Sequence, residues 1–108
     1  MRGVSVIACL AFGAPALAAP EGRFCVENLS PHAAFFTTET REGVRQTATL
    51  EPGGLLCSGE TAAADGVVQI FEDATSLEGC GRIVPRDATE GLVAYAPFDR
   101  CHWTSHDR

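Results

Sequence analysis

The residues with chemistry to offer are few, and four of them are cysteines: Cys25, Cys57, Cys80 and Cys101. A thiol can serve as a redox group, a metal ligand or half of a disulfide. A redox centre wants a C-x-x-C pair or a cationic neighbour that lowers the thiol pKa, and the chain has no C-x-x-C. Zinc knuckles place their ligands two to four residues apart, a spacing these cysteines never approach. Structural disulfides remain. Four cysteines allow three pairings, of which Cys25 with Cys57 and Cys80 with Cys101 is favoured, because the second pair closes the outer ends of a hairpin that the stretch from Glu78 to Trp103 suggests. Loops of 32 and 21 residues would then be closed, each contributing roughly 3 to 4 kcal/mol in the loop-entropy account.

His102 and His106 are the candidate metal ligands. Their spacing of four puts both imidazoles on one face if the tail is helical, with Asp99 or Asp107 able to add an oxygen, and imidazoles suit zinc or copper. The plainer alternative is a solvated tail. The serines Ser30, Ser58, Ser76 and Ser105 sit in no G-x-S-x-G elbow, and no G-x-G-x-x-G or P-loop appears. All eight basic residues other than histidine are Arg, which leaves no amine for Schiff-base chemistry or a Ser-Lys dyad. The sequence therefore reads as non-enzymatic, with no cofactor called for.

Aromatic residues supply the candidate binding surface: Phe36, Tyr95, Phe98 and Trp103. Phe35 and Phe36 are adjacent, so in a strand they point to opposite faces and one must leave the core. Tyr95, Phe98 and Trp103 cluster near the end of the suggested hairpin. The competing reading packs all of these rings into a core too small to spare any.

The elements that must position these groups are strands. Arg23–Leu29 and Val44–Leu50 alternate with period two, the latter with Val44, Gln46, Ala48 and Leu50 on its expected core face, and Ala33–Thr40 reads as a strand from Phe35-Phe36 and its β-branched tail of Thr37, Thr38 and Thr40. Pro52-Gly53 fits a type II turn before Leu55–Cys57. Residues 58–66 read as the most mobile loop, 67–71 as a central strand, and Thr75-x-x-Glu78 as a capping box opening one helical turn. Arg82–Val84 and Leu92–Ala96 form the arms of the hairpin, and the polar tail after Cys101 is expected to fray. About six or seven short strands between turn signals predict an all-β fold, a small disulfide-stapled antiparallel sandwich or barrel with neighbouring strands paired.

Residues 1–18 read as a cleaved signal peptide: Arg2, an apolar run from Val4 to Phe12, and Ala16-Leu17-Ala18 before the cut. A lipoprotein-type cut at Cys9 is the minor alternative. Removing 18 of the 108 residues leaves one exported domain, 19–108, of 90 residues and a charge of about −7, against −6 for the whole chain. A domain so small is marginal without staples. Its acidity argues against nucleic acid and anionic lipid as partners, and the apolar run is too short to span a bilayer. High Ala and Gly content without Lys suggests a GC-rich bacterial gene.

The opening Phe24-x-Val26-x-Asn28 strand and the Leu50-x-Pro52-Gly53 turn resemble those of secreted β-sandwich domains, thaumatin-like ones among them. That resemblance implies a fold and no function. In size, export and disulfides the chain is also similar to small periplasmic lysozyme inhibitors, although Ser58-Gly59 lacks the aromatic of their Ser-Gly-x-x-Tyr signature. The expectation is a periplasmic or extracellular binding module, with a protein or another envelope ligand as partner. An enzyme inhibitor and a metal-binding protein using the histidine pair are the alternatives. Intact mass of the protein from its native envelope checks the address and the staples together: a chain starting at Ala19, about four daltons lighter than its reduced form, is expected.

Overall fold

The computed structural model describes residues 17–107, with side chains from Ala18 onward. Apart from Leu17 and Ala18, the expected signal peptide lies outside the described residues. Nine strands and one short 3-10 turn are present among those described: β1 Leu17–Ala18, β2 Cys25–Asn28, β3 Ala34–Thr40, β4 Arg45–Leu50, β5 Leu55–Cys57, β6 Asp65–Phe71, β7 Gly79–Pro85, β8 Ala88–Ala94 and β9 His102–Trp103, with the turn at Thr104–Asp107. The fold is all-β, as the alternation predicts. One sheet runs β1-β8-β2-β5 with β9 also on β8; the other runs β4-β3-β6-β7. Both contribute to one core: Phe24, Val26, Leu92 and Trp103 from the first, Phe36, Val68, Ile70 and Val84 from the second.

Two topological expectations fail. Strands β2 and β8 are parallel, with Cys25 opposite Thr89 and Asn28 opposite Leu92, so the fold is not purely antiparallel. The suggested hairpin does not form either. Strand β7 is the edge of one sheet and β8 lies inside the other, because Asp87, in the left-handed region at φ 73, swings the chain across. Its carboxylate accepts from Gly22 N at 2.7 Å and its own N–H donates to Arg23 O at 2.6 Å, which fixes the corner. Burial explains the preference: Thr89 to Leu92 are buried without interruption, the pattern of an interior strand rather than a hairpin arm.

Several local readings also change. Strand β4 is an edge strand with only Leu50 buried, so half of its expected core face meets solvent. Residues 58–66 are not a loose loop, since Ser58 N donates to Phe24 O, Thr61 N to Gly22 O and Arg86 Nη1 to Ala62 O. No helical turn follows Thr75; Asp73 instead caps a bend, accepting from Thr75 N at 2.9 Å. The tail is docked, with Trp103 buried in the core.

The structure joins Cys25 to Cys57 and Cys80 to Cys101, the favoured pairing, though not for the reason the sequence suggested. Cys25 and Cys57 face each other across β2 and β5. Cys80, in β7, reaches Cys101 beside β9 and so crosses between the two sheets. Two disulfides in a chain this small are consistent with an oxidising compartment. No helix of the described residues is long and apolar enough to cross a membrane.

Close approach between the sheets sets a test of the packing. A Cβ on Gly66 would lie 2.2 Å from the Phe24 ring, whereas one on Gly81 would find nothing nearer than 3.8 Å. In chemical denaturation Gly66→Ala should lose about 1–3 kcal/mol of stability, and Gly81→Ala should stay within about 0.5 kcal/mol of the parent.

Candidate functional site

A cavity of about 500 Å³ opens at one end of the two sheets, lined by Pro31, His32, Ala33, Glu72, Tyr95 and Pro97 among others. Three connections build it, and each is tied down by a different device. The β2–β3 connection is held by the buried carboxamide of Asn28. Its Nδ2 donates to His32 O and to Leu50 O, both at 2.9 Å, while its Oδ1 accepts from Ser30 N and Oγ. The β6–β7 connection carries Glu72 and is shaped by Asp73, whose carboxylate the Thr75 hydroxyl and amide hold below the ordinary aspartate value.

The third connection, from Tyr95 to Arg100, bears the exposed aromatic. Asp99 takes the place of a strand residue along the free edge of β7: its N–H donates to Gly79 O and its carboxylate accepts from Gly81 N at 3.0 Å. Phe98 and Asp99 are both left-handed, at φ 62 and 58, a conformation that costs a non-glycine residue roughly 1–3 kcal/mol. The result is a Phe98 side chain 70% exposed, with the Arg100 guanidinium 6.0 Å from its ring centroid. Leu77, from the neighbouring connection, is also fully exposed.

The electrostatics of this end are acidic. Burial pushes the Tyr95 phenol above its ordinary value, and the carboxylates of Glu78, Glu72 and Asp73 push the same way. A cation near Tyr95 would therefore meet a ring face and a negative field together.

Of the four aromatic candidates, Tyr95 and Phe98 lie at this end. Phe36 and Trp103 do not qualify as contact residues: both rings are buried in the core, where β3 and β9 face the opposite sheet. Phe35, the partner of Phe36 in sequence, takes the outer face and is partly covered by Phe71 at 6.5 Å between centroids.

A second cleft of about 390 Å³ lies between β7 and β8. Glu90 sits in its wall, 3% exposed, accepting from Thr104 Oγ1, Ser105 N and Gly91 N, with Arg82 Nε at 3.4 Å. Arg82 also donates to Ser105 Oγ. Burial alone would raise the Glu90 pKa, but the hydroxyls of Ser105 and Thr104 and the amides of Gly91 and Ser105 hold it below the ordinary value. Nothing in the sequence singled Glu90 out, because its alternation places it like any surface acid; the docked tail supplies the Thr104 hydroxyl and Ser105 amide that it accepts from.

The histidine pair is brought together. His102 and His106 have ring centroids 5.2 Å apart, and Asp107 Oδ2 lies 3.1 Å from His102 Nε2. Asp99 is engaged at β7 instead. Among the described residues no group of three or more His, Cys, Asp or Glu is placed to hold a metal ion.

No protein-family model, curated protein or solved structure matches the chain.

The Glu90 cluster gives a pH signature. A carboxyl whose folded pKa is depressed stabilises the fold above its unfolded pKa and loses that contribution as pH falls through the folded value. Glu90→Gln should therefore cost about 1–3 kcal/mol at neutral pH and reduce the loss of stability between pH 4.5, the ordinary glutamate value, and lower pH. Urea denaturation of both proteins at a series of pH values measures it.

Proposed function

We propose that this chain is a small exported β-sandwich module that acts by binding a protein partner and not by catalysis, using the end of the molecule that carries Tyr95, Pro97 and Phe98. The observation that carries the reading is Phe98: a large aromatic ring held out to solvent by two left-handed residues, on a connection strapped to β7 by a disulfide and by Asp99. Exposed rings on pre-ordered backbone are what binding surfaces use, since little conformational entropy is lost on contact.

The chemistry of the partner follows from the surroundings. Phe98, next in sequence to the cavity-lining Pro97, offers apolar area, and Glu72, Asp73 and Glu78 make the field at Tyr95 negative. A protein segment that presents a basic side chain next to apolar ones is complementary on both counts. A disulfide-strapped connection of this kind also suits an inhibitor that enters an enzyme's cleft with little rearrangement. In this reading the leader 1–18, which includes the two residues of β1, is removed on export, and the periplasm or extracellular space supplies the oxidising conditions.

Site-specific photo-crosslinking in the native envelope tests it. A crosslinker at position 98 should yield a discrete protein adduct, weakened at high salt, that the same group at Thr47 on exposed β4 does not give. Equal adducts at both positions, or none at 98, would overturn the assignment.

A further inference from the structure

Strand β1 fills a gap along the edge of β8. It pairs antiparallel, with Leu17 opposite Thr89 and Ala18 opposite Ala88. The backbone of β8 alternates sides: Leu92 O accepts from Leu29 N on the β2 side, and Gly91 N–H donates to Thr104 Oγ1 on the other. By that alternation the N–H and C=O of Thr89 point at β1. The Thr89 hydroxyl points there too, donating to Ala18 O at 3.3 Å, although Thr89 is only 6% exposed.

Both ends of the gap are closed. At one end Ala19 N donates to Asp87 O at 3.0 Å, and the turn behind it is pinned by Arg23 N on Pro20 O and by Gly22 N on the Asp87 carboxylate. At the other, Thr104 covers Gly91 and β9 begins its pairing at Leu92. Removal of residues 1–18 on export, the reading proposed above, therefore leaves the N–H, C=O and hydroxyl of Thr89 without the groups that face them. Ala19 is held too far along β8 to replace them. A buried hydroxyl and a strand edge stripped in this way favour a new partner.

The cut also sets the kind of occupant. It turns Ala19 N into an α-ammonium beside the place of the Ala18 carbonyl. An incoming chain that runs as β1 runs must stop there, so its last carbonyl is a carboxylate. That group meets the ammonium and the Thr89 hydroxyl together, a charge-assisted capture of a chain terminus.

We infer that in the processed protein β8 receives the C-terminal end of an extended polypeptide, which pairs at Ala88 and Thr89 and sets its terminal carboxylate against Ala19 N and Thr89 Oγ1. The inference rests on the export reading and is separate from the face at Phe98. Ala88 and Thr89 also line the cleft between β7 and β8, which gives the chain its way in.

The probe is a synthetic N-acetylated peptide of residues 13–18 with a free C-terminal carboxylate. It is added to isotope-labelled protein that was processed in its native envelope and weighed by intact mass. At about millimolar peptide the Thr89 amide should shift and its exchange should slow. Amidating the peptide's C-terminus should weaken binding about threefold or more, as should Thr89→Val in the protein. Proline in place of the peptide's leucine removes the N–H that faces Thr89 O and should abolish the shift. The uncut chain should not respond, since its own residues fill the gap. A native chain that keeps residues 17 and 18 by mass defeats the export reading and the inference with it. A chain that starts at Ala19, yet has a Thr89 amide already protected or unmoved by the peptide, defeats the inference alone, and equal binding of the amidated peptide overturns the carboxylate assignment.

Discussion

Much of this structure depends on one covalent tie, the Cys80–Cys101 disulfide. It joins β7, the edge strand of one sheet, to the residue just before β9 on the other. A domain of this size buries too little apolar surface to hold two sheets together with a margin, and the disulfide ties the connection after β8 to β7 before β9 docks back on β8. With the tie made, Asp99 can pair along the edge of β7 through Gly79 and Gly81. That pairing blocks part of a strand edge that would invite association, and Pro85 ends it. The strained backbone at Phe98 and Asp99 persists because both ends of its connection are fixed.

The first and last of the described strands, β1 and β9, both pair with β8. Strand β8 carries β2 on one side and β1 and β9 on the other, so its buried run from Thr89 to Leu92 is interior to the fold although it comes late in sequence. Glu90 is the polar counterpart of this arrangement. It satisfies the backbone and hydroxyls of the closing turn from within the wall of a cleft, and the turn in turn displays the histidines.

Strands were legible where local composition decides them, as in the β-branched tail of β3 and the compact apolar run of β6, and the Pro52-Gly53 turn was legible because φ 90 at Gly53 is what glycine is there to supply. Pairing between strands was not. The local pattern at Arg82–Val84 and Leu92–Ala96 fits a hairpin, and only the burial of β8 against strands some sixty residues earlier chooses otherwise. The tail looked polar because its one large apolar residue, Trp103, is isolated in sequence, while its partners come from other strands. For the candidate site the aromatic inventory pointed to Tyr95 and Phe98 but equally to Phe36 and Trp103, since residue type does not distinguish a ring in the core from one on display. Asn28 was visible only as the last residue of the Phe24-x-Val26-x-Asn28 strand, yet its carboxamide shapes one wall of the cavity through bonds to His32 and Leu50.

The account holds that a fixed covalent strap presents a pre-ordered aromatic face. Amide hydrogen exchange and backbone relaxation at residues 95–101, compared between the oxidised protein and Cys80→Ser/Cys101→Ser, address that claim most directly. The predicted result is an ordered connection in the oxidised protein, with the Gly81 and Asp99 amides protected, and loss of that order in the variant while amides of β3 and β6 stay protected. A connection already mobile with the disulfide intact, or one unchanged by its removal, would contradict it.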